Sequence, residues 1–137
     1  MHRVRSMSAL NEIEGAVLDM LLAGESPALE VLRAQREPLF VAKRELTGVG
    51  FFTELGHPPD VVRLQAPQRV RFGDVLADIE GLEHGAGFVL YIDDGLITML
   101  EGYSTANEPW PESLARFALR YWPTERDLGP LVDPARP

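Results

Sequence analysis

The segment FVLYIDDGLITML, residues 88–100, constrains the fold more than any other part of the chain. Asp94 and Gly95 stand between two apolar runs, which is the arrangement of a two-residue hairpin turn of the primed type. Such a turn needs positive φ at its central residues, a conformation that Asp and Gly tolerate. The segment therefore predicts two adjacent antiparallel strands.

The turn also sets a register for the two strands. One surface of the sheet would carry the cross-strand pairs Ile92 with Ile97, Leu90 with Met99, and Phe88 with Glu101. The opposite surface would hold Val89, Tyr91, Leu96, Thr98, Leu100 and Gly102. Both surfaces are largely apolar, whereas antiparallel sheets commonly keep one face in water. We expect helices to cover one surface, and a further layer, the C-terminal segment or a partner to cover the other.

Two helices are predicted before Pro38. Apolar residues from Leu10 onward follow the three-and-four spacing of one helix face, with Ser8 as a possible cap and an end near Ala23. The next segment, SPALEVLRAQRE, opens with Ser26 as a cap and a proline at the first helical position. Pro38 should end this second, shorter helix.

After Pro38, β-branched and aromatic residues come in short runs separated by Gly, Pro and Asp. The runs that predict strands are LFVAKREL, VGFFTEL, VRFGDVLADIE, AGFVLYI, LITMLEGY and RFALRYW. Gly48 and Gly50 form either a turn between the first two strands or a bulge within one bent strand. The predicted fold class is α+β, with two N-terminal helices packed on a mostly antiparallel β-meander of about five or six strands.

The length of 137 residues and the hydrophobic content of 45% suit one compact domain. We expect a single soluble domain over residues 1–137, with a flexible arm over 1–7 and a Pro-rich C-terminal tail over 123–137. No apolar run approaches the roughly 18 to 20 residues that cross a bilayer, and no secretory signal opens the chain. We therefore expect a cytoplasmic location.

Composition narrows the possible sites and partners. The absence of cysteine excludes disulfides, thiolate metal sites and a cysteine nucleophile. Thirteen Lys and Arg against 21 Asp and Glu give a formal net charge of -8. This charge disfavours nucleic acid and anionic membranes as partners and favours a basic protein.

No catalytic or cofactor motif stands out. The chain has no Gly-x-Ser-x-Gly elbow, and the glycines of GLEHGAG precede a strand, whereas phosphate-binding loops precede a helix. Glu80, Glu83 and His84 fit a solvated turn better than a metal site, because no two histidines have ligand spacing. We predict no catalytic residue, no metal and no cofactor, and the sequence argues against an enzyme without excluding one.

Glu101 is the most informative acid, because the register above places it among apolar neighbours such as Met99 and Tyr103. An unpaired carboxylate there would be strongly unfavourable or would become protonated. Either Arg116 or Arg120 from the last strand bonds it, or it lies in water at a frayed edge, or it has a raised pKa and acts as an acid, a base or a ligand anchor. A three-residue turn would move Glu101 to the other face.

Aromatic residues late in the chain are further candidates for contact with a ligand or partner. Tyr103, Trp110 and Trp122 each combine a ring with one polar atom, which suits ligand sites and interfaces, although simple packing is the plainer explanation. Trp110 lies between the two prolines of NEPWP, where it either covers the core or is exposed for recognition. The predicted contact residues are Glu101, Tyr103, Trp110 and His84.

Residues 79–111, IEGLEHGAGFVLYIDDGLITMLEGYSTANEPWP, and residues 46–55, LTGVGFFTEL, carry one further pattern. A glycine-containing approach to a hairpin leads to a Leu-Glu-Gly-aromatic run and a Trp-Pro turn. In this pattern the chain resembles a group of small, uncharacterised bacterial proteins that share a domain of unknown function. The resemblance covers most of the sheet and implies no catalytic residue. Small proteins of this kind can neutralise toxins, so it implies an immunity-type role as one expectation.

Three functions follow as hypotheses. The first is a non-catalytic bacterial protein that binds a basic protein through its acidic surface or its second apolar sheet face. The second is a small-molecule-binding protein or minor enzyme with a pocket around Glu101, Tyr103 and Trp110. The third is a structural homodimer that buries the second sheet face. The expected partner is thus another protein or a second copy of the chain.

Overall fold

A computed structural model describes residues 9–65, 69–113, 116–123 and 126, which form two helices and seven strands. The predicted arm, residues 1–7, lies outside the described residues, as does most of the predicted tail. The elements in chain order are α1 Glu12–Leu21, α2 Pro27–Arg36, β1 Phe40–Leu46, β2 Gly50–Gly56, β3 Arg69–Phe72, β4 Val75–Ile79, β5 Ala86–Asp93, β6 Leu96–Ser104 and β7 Phe117–Tyr121.

Helix α1 begins with a capping box. The side chain of Asn11 accepts a hydrogen bond from the Glu14 N–H, and the Glu14 carboxylate accepts one from the Asn11 N–H, both at 2.9 Å. Two N–H groups that the helix leaves free are satisfied in this way. The predicted cap, Ser8, lies outside the described residues and is corrected to Asn11. The helix ends at Leu21, close to the expected Ala23.

Helix α2 has the predicted cap. Ser26 Oγ accepts a hydrogen bond from the Ala28 N–H at 3.1 Å, and Pro27 occupies the first helical position. The helix ends before Pro38. Within the described residues, neither helix is long and apolar enough to cross a membrane.

All described strands pair antiparallel in one sheet, in the order β1-β2-β6-β5-β4-β7, with β3 also paired to β5. The α+β class is thus confirmed, but the strand count is seven. The predicted segment VRFGDVLADIE divides at Gly73 and Asp74 into β3 and β4, which both pair with β5. The predicted meander is only partial, because β2 lies beside β6 and β7 pairs with β4.

Two turns carry the positive φ angles that their glycines allow. Asp94 and Gly95 join β5 to β6 with φ of 52° and 81°, as the primed turn requires. The turn between β1 and β2 contains Gly48 at φ 93°, and the Thr47 N–H donates to the Gly50 carbonyl at 3.0 Å. Of the two alternatives for the glycines of this region, the turn between two strands is therefore the correct one.

Both helices pack on one side of the sheet, which we call the inner face. The residues buried between the helices and the sheet are mostly leucine, isoleucine, valine and phenylalanine, and these residues form one continuous core. Fully buried members include Val17, Leu18, Leu21, Leu29, Leu32, Leu90, Ile92, Ile97 and Leu100. Leu29 and Leu32 are the buried leucines of α2.

Glu14 is a fully buried carboxylate at the centre of a network that joins α1 to the sheet. Arg44 of β1 donates to it from Nε at 2.8 Å and from Nη2 at 2.6 Å, and the Thr53 hydroxyl of β2 donates as well. Burial raises the pKa of Glu14, but the hydrogen bonds from Arg44, Thr53 and the Asn11 N–H outweigh it and hold the pKa below its usual range. Glu14 is therefore ionised at neutral pH, and both of its carboxylate oxygens accept hydrogen bonds from within the fold.

Gln35 joins α2 to the β5–β6 hairpin in a similar way. Its side chain is fully buried, and its Nε2 donates to the carbonyls of Val62 at 2.9 Å and Gly95 at 2.8 Å. Its Oε1 accepts from the Ile97 N–H at 2.9 Å. One amide thus bonds three backbone groups, of which the Gly95 carbonyl also accepts from the Leu64 N–H at 2.9 Å.

Arg126 ties the end of the described chain to the end of α1. Its guanidinium donates to the carbonyls of Leu21 at 2.8 Å and of Ala23, and pairs with the buried Asp74. The guanidinium carbon also lies 4.4 Å from the centroid of the Tyr121 ring. Arg126 therefore supplies donors to carbonyls that the helix end leaves free.

Candidate functional site

The side of the sheet opposite the helices, which we call the outer face, carries partly buried apolar and aromatic side chains. Strand alternation identifies them, because their neighbours along β2, β5 and β6 are buried on the inner face. The central outer-face residues are Phe52, Val89, Tyr91, Met99, Glu101 and Tyr103. Both described helices lie on the inner face, and Tyr103 is 38% exposed.

The position of Glu101 corrects the predicted register. Ile92 does face Ile97, but a bulge follows, and beyond it Tyr91 pairs with Met99 and Val89 with Glu101. A bulge adds one residue to one strand and so reverses which face the later side chains occupy. Glu101 therefore lies on the outer face and not beside Phe88. Leu100 and Gly102, expected on the opposite face, are buried on the inner one.

The bulge has a local cause. The Thr98 hydroxyl donates to Asp93 at 2.6 Å and to the Tyr91 carbonyl at 3.3 Å. The hydrogen bond from Thr98, followed by that from Arg71, holds the pKa of Asp93 below its usual range despite burial. These side-chain bonds stabilise an irregularity that a turn-based register cannot anticipate.

Glu101 is bonded to a tyrosine of the same face. The Tyr91 hydroxyl donates to Glu101 Oε1 at 2.8 Å. Burial, followed by this hydrogen bond, raises the pKa of the Tyr91 phenol. Of the predicted cationic partners, Arg120 lies 3.8 Å from Asp78, and no ion pair among the described residues involves Glu101. The carboxylate thus has one neutral donor and remaining acceptor capacity.

Tyr91 also carries a cation on its ring. The guanidinium carbon of Arg71 lies 4.1 Å from the ring centroid, and Arg71 Nη1 lies 3.1 Å from Asp93 Oδ1. An arginine on β3 is therefore held on the outer face by one aromatic ring and one carboxylate.

Tyr103 packs against its cross-strand partner Gly87. A Cβ added to Gly87 would lie 2.6 Å from Tyr103 Cζ, so the ring covers the glycine backbone. The same arrangement occurs on the inner face, where the Phe51 ring covers Gly102. Ring-over-glycine pairs of this kind restore the packing that a strand glycine lacks.

The other two predicted contact residues lie elsewhere. Trp110 packs edge-on against Phe51, with ring centroids 5.6 Å apart, and its backbone N–H donates to the Gly48 carbonyl at 2.8 Å. It thus covers one end of the core, beside a cavity of about 240 Å³. His84 is in the loop before β5, where its Nδ1 lies 3.3 Å from Glu108.

Glu108 explains the loop around His84. Its carboxylate accepts hydrogen bonds from the N–H groups of Glu83 at 2.7 Å and His84 at 2.8 Å. These two hydrogen bonds hold the pKa of Glu108 below its usual range, and the bond from the Glu83 N–H has the larger effect. The contact joins the loop before β5 to the loop after β6. Across the described ranges, no group of His and acidic residues, including Glu80, has the arrangement of a metal site.

Charge is distributed unevenly over the outer face. In the part formed by β3, β4, β5 and β7, basic and acidic side chains pair with each other. The part formed by β1, β2 and β6 carries three carboxylates and one ammonium group. These are Glu45, Glu54 and Glu101, with Lys43. An acidic surface around partly exposed aromatic residues results.

The structure brings together Glu101 and Tyr103 but not Trp110 or His84. Phe52, Tyr91 and Arg71 belong to the same surface and were not among the predicted contact residues. Alternation along β2, β3 and β5 would have indicated them if the bulge between β5 and β6 had been known. No protein-family model, curated protein or solved structure matches this chain.

Proposed function

We propose that this protein is a non-catalytic interaction protein that binds a basic partner protein through the outer face. The observation that carries the proposal is Glu101, a carboxylate that has no ion pair among the described residues and lies among partly exposed aromatic and apolar side chains. Interfaces commonly combine an apolar, aromatic centre with polar groups, and their strongest contacts are made by tyrosine, tryptophan and arginine. The acidic half of the outer face favours a partner with a basic surface.

An immunity-type role in the bacterial cytoplasm is the concrete version of this proposal. A toxin that acts on nucleic acid presents a basic surface, and an acidic protein associates with such a surface faster through electrostatic steering. The net charge of -8 supports a protein partner over nucleic acid. The resemblance in residues 79–111 to small bacterial proteins is in keeping with this role.

The two other functions find less support. A twofold interface centred on Glu101 would bring two carboxylates of identical chains together, which is unfavourable without a cation between them. A small-molecule pocket around the four predicted contact residues would need them on one surface. Trp110 instead packs against Phe51, and His84 lies in a loop.

Photo-crosslinking from a single position tests the proposal. A benzoylphenylalanine at Met99, on the outer face, should crosslink to a foreign basic protein in lysate of the native host. The matched control carries the same group at Ala34, an exposed position of α2. A crosslink to the chain itself would favour the homodimer, and equal yields from both positions would contradict a role for the outer face.

Once the partner is identified, charge reversal separates steering from other effects. Glu54 is exposed on the acidic half, whereas Asp93 bonds Arg71 and Thr98 and would disturb the sheet if changed. Glu54→Lys should slow association at low salt and have less effect at high salt. An unchanged association rate at low salt would count against a basic partner.

A further inference from the structure

Glu101 and Tyr103 lie two residues apart on the outer face of β6, and neither belongs to an ion pair among the described residues. Glu101 Oε1 accepts from the Tyr91 hydroxyl at 2.8 Å, while no basic side chain of the described residues pairs with the carboxylate. Tyr103 lies against Gly87 and is 38% exposed, so its ring presents area to the outside. A partly buried carboxylate beside an exposed ring suits a cation.

The outer face already holds one arginine by the same two kinds of group. Arg71 stacks on the Tyr91 ring at 4.1 Å and pairs with Asp93 at 3.1 Å. Guanidinium groups are weakly hydrated, planar and always charged, so they suit a site that combines a ring and a carboxylate. The arrangement of Arg71 shows that this sheet surface accommodates a guanidinium lying across its strands.

Neighbouring side chains also favour a cation at Glu101. Cross-strand from Glu101 are Phe52 on β2 and Val89 on β5, which shield the carboxylate from water. Glu45 is the partner of Phe52 on β1, and it adds a second negative charge to the same row of the sheet. An anionic ligand at this place would be repelled.

We propose that Glu101 and the Tyr103 ring bind an arginine side chain of the partner protein. This inference rests on the proposed function and identifies the central contact of that interface. The guanidinium would donate to Glu101 Oε2, which accepts no hydrogen bond from the described residues, and stack on the exposed face of Tyr103. The Tyr91 hydroxyl, on the other carboxylate oxygen, is a positioning group that keeps Glu101 oriented.

An arginine-containing peptide and the 137-residue chain are used to test this contact. Acetyl-Gly-Arg-Gly-Arg-Gly-amide is titrated into isotopically labelled protein, and amide shifts are followed by NMR. The same peptide with citrulline, which keeps the shape and loses the charge, is the matched ligand. Saturable shifts centred on Phe52, Val89 and Tyr103 with the arginine peptide alone support the proposal, and scattered or absent shifts overturn it.

Variants assign the effect to the two groups. Glu101→Gln should weaken peptide binding about tenfold, as the loss of one charge-assisted hydrogen bond does. Tyr103→Leu, which keeps an apolar cover over Gly87, should weaken it less, and Glu30→Gln on exposed α2 should leave it unchanged. Far-ultraviolet circular dichroism checks that each variant is folded. Equal losses in Glu101→Gln and Glu30→Gln would show only nonspecific attraction and would overturn the proposal.

The crosslinking experiment keeps the two proposals distinguishable. If a foreign protein is captured at Met99 and Glu101→Gln does not change its affinity, the interface stands and the arginine contact is refuted. If no foreign protein is captured and the peptide does not bind, both proposals fail. Loss of affinity for the captured protein in Glu101→Gln, with retention in Glu30→Gln, supports both.

Discussion

On the inner face, Glu14 and Gln35 are fully buried and make several hydrogen bonds within the chain. On the outer face Glu101 is partly buried, and its one described partner is the Tyr91 hydroxyl. Among the described residues, the only buried side-chain polar atom without a partner is His57 Nδ1, and the other ring nitrogen of His57 lies 2.5 Å from the Ile97 carbonyl oxygen. The inner face therefore uses its polar groups for stability, and the outer face leaves one available for binding.

Side chains are also packed more tightly on the inner face than on the outer face. The Phe51 ring over Gly102 is 4% exposed and is enclosed by Phe88 and Trp110. The Tyr103 ring over Gly87 is 38% exposed and is free on one side. Similar ring-over-glycine contacts thus have different freedom to adjust. The cost of adding a methyl group at a strand glycine therefore depends on how tightly the ring above it is enclosed.

Gln35→Leu is expected to have the largest effect. The substitution keeps the volume but leaves the Ile97 N–H and the Val62 carbonyl without the Gln35 amide, at a cost of about 4 kcal/mol in unfolding free energy, whereas the Gly95 carbonyl keeps the Leu64 N–H. Urea unfolding followed by circular dichroism measures it. Met99→Leu on the outer face is the control and should change stability by less than about 1 kcal/mol. Similar losses in both variants would refute the proposed difference between the faces.

Arg44→Met should be the next largest, at about 3 kcal/mol at neutral pH, because it leaves the buried Glu14 without its cation. The pKa of Glu14 lies below its ordinary value of 4.5 in the native protein. Its stabilising effect is therefore present above pH 4.5 and is lost as the pH falls through the folded pKa.

The pH dependence separates this explanation from simple loss of packing. In Arg44→Met the folded pKa of Glu14 should rise, so the stability difference from the native protein should shrink in acid. The matched variant Glu14→Gln should lack this part of the pH dependence. A stability difference that is constant between neutral and acidic pH would show that the charge of Glu14 is not responsible.

Gly102→Ala and Gly87→Ala compare the two faces at equivalent positions. The added methyl group at residue 102 meets the enclosed Phe51 ring and should cost about 2 kcal/mol. At residue 87 it meets the hydroxyl end of Tyr103, which is free to turn outward, so we expect less than about 1 kcal/mol. Thermal unfolding of both variants gives the ratio, and the reverse order would contradict the comparison.

Glu101→Gln should have the smallest effect on stability, within about 0.5 kcal/mol, because the carboxylate has no cation to lose within the described chain. It should also lower the pKa of Tyr91, which burial and then the bond to Glu101 raise above 10.0. Ultraviolet titration of the phenols measures this, with Tyr91→Phe as the assignment control. A large loss of stability would make Glu101 a structural residue.

Local signals in the sequence predicted much of the fold. Ser26 and Pro27 start α2, and Asp94 and Gly95 form the hairpin turn, because caps and primed turns depend on a few adjacent residues. The start of α1 was misplaced although Asn11 and Glu14 form a recognisable capping box. The capping box is thus a better indicator of the helix start than an isolated serine such as Ser8.

The candidate site was only partly predictable. Glu101 and Tyr103 were identified, but the bulge at Thr98 placed Glu101 on the face opposite to the one expected. The bulge depends on bonds from Thr98 to Asp93 and to the Tyr91 carbonyl, which form only when both strands are paired. Trp110 packs against the core, which is the plainer of the two roles predicted for it.

The α+β class, the second helix, the hairpin and the acidic charge can be predicted from the sequence, since each depends on local spacing or on composition. The pairing of β7 with β4, the contact of Arg126 with the end of α1, and the position of Glu101 beside Tyr91 are visible only in the folded chain. These contacts join residues far apart in the chain or depend on a one-residue shift in pairing. Their free energy arises from packing and desolvation of the whole sheet, which no local pattern encodes.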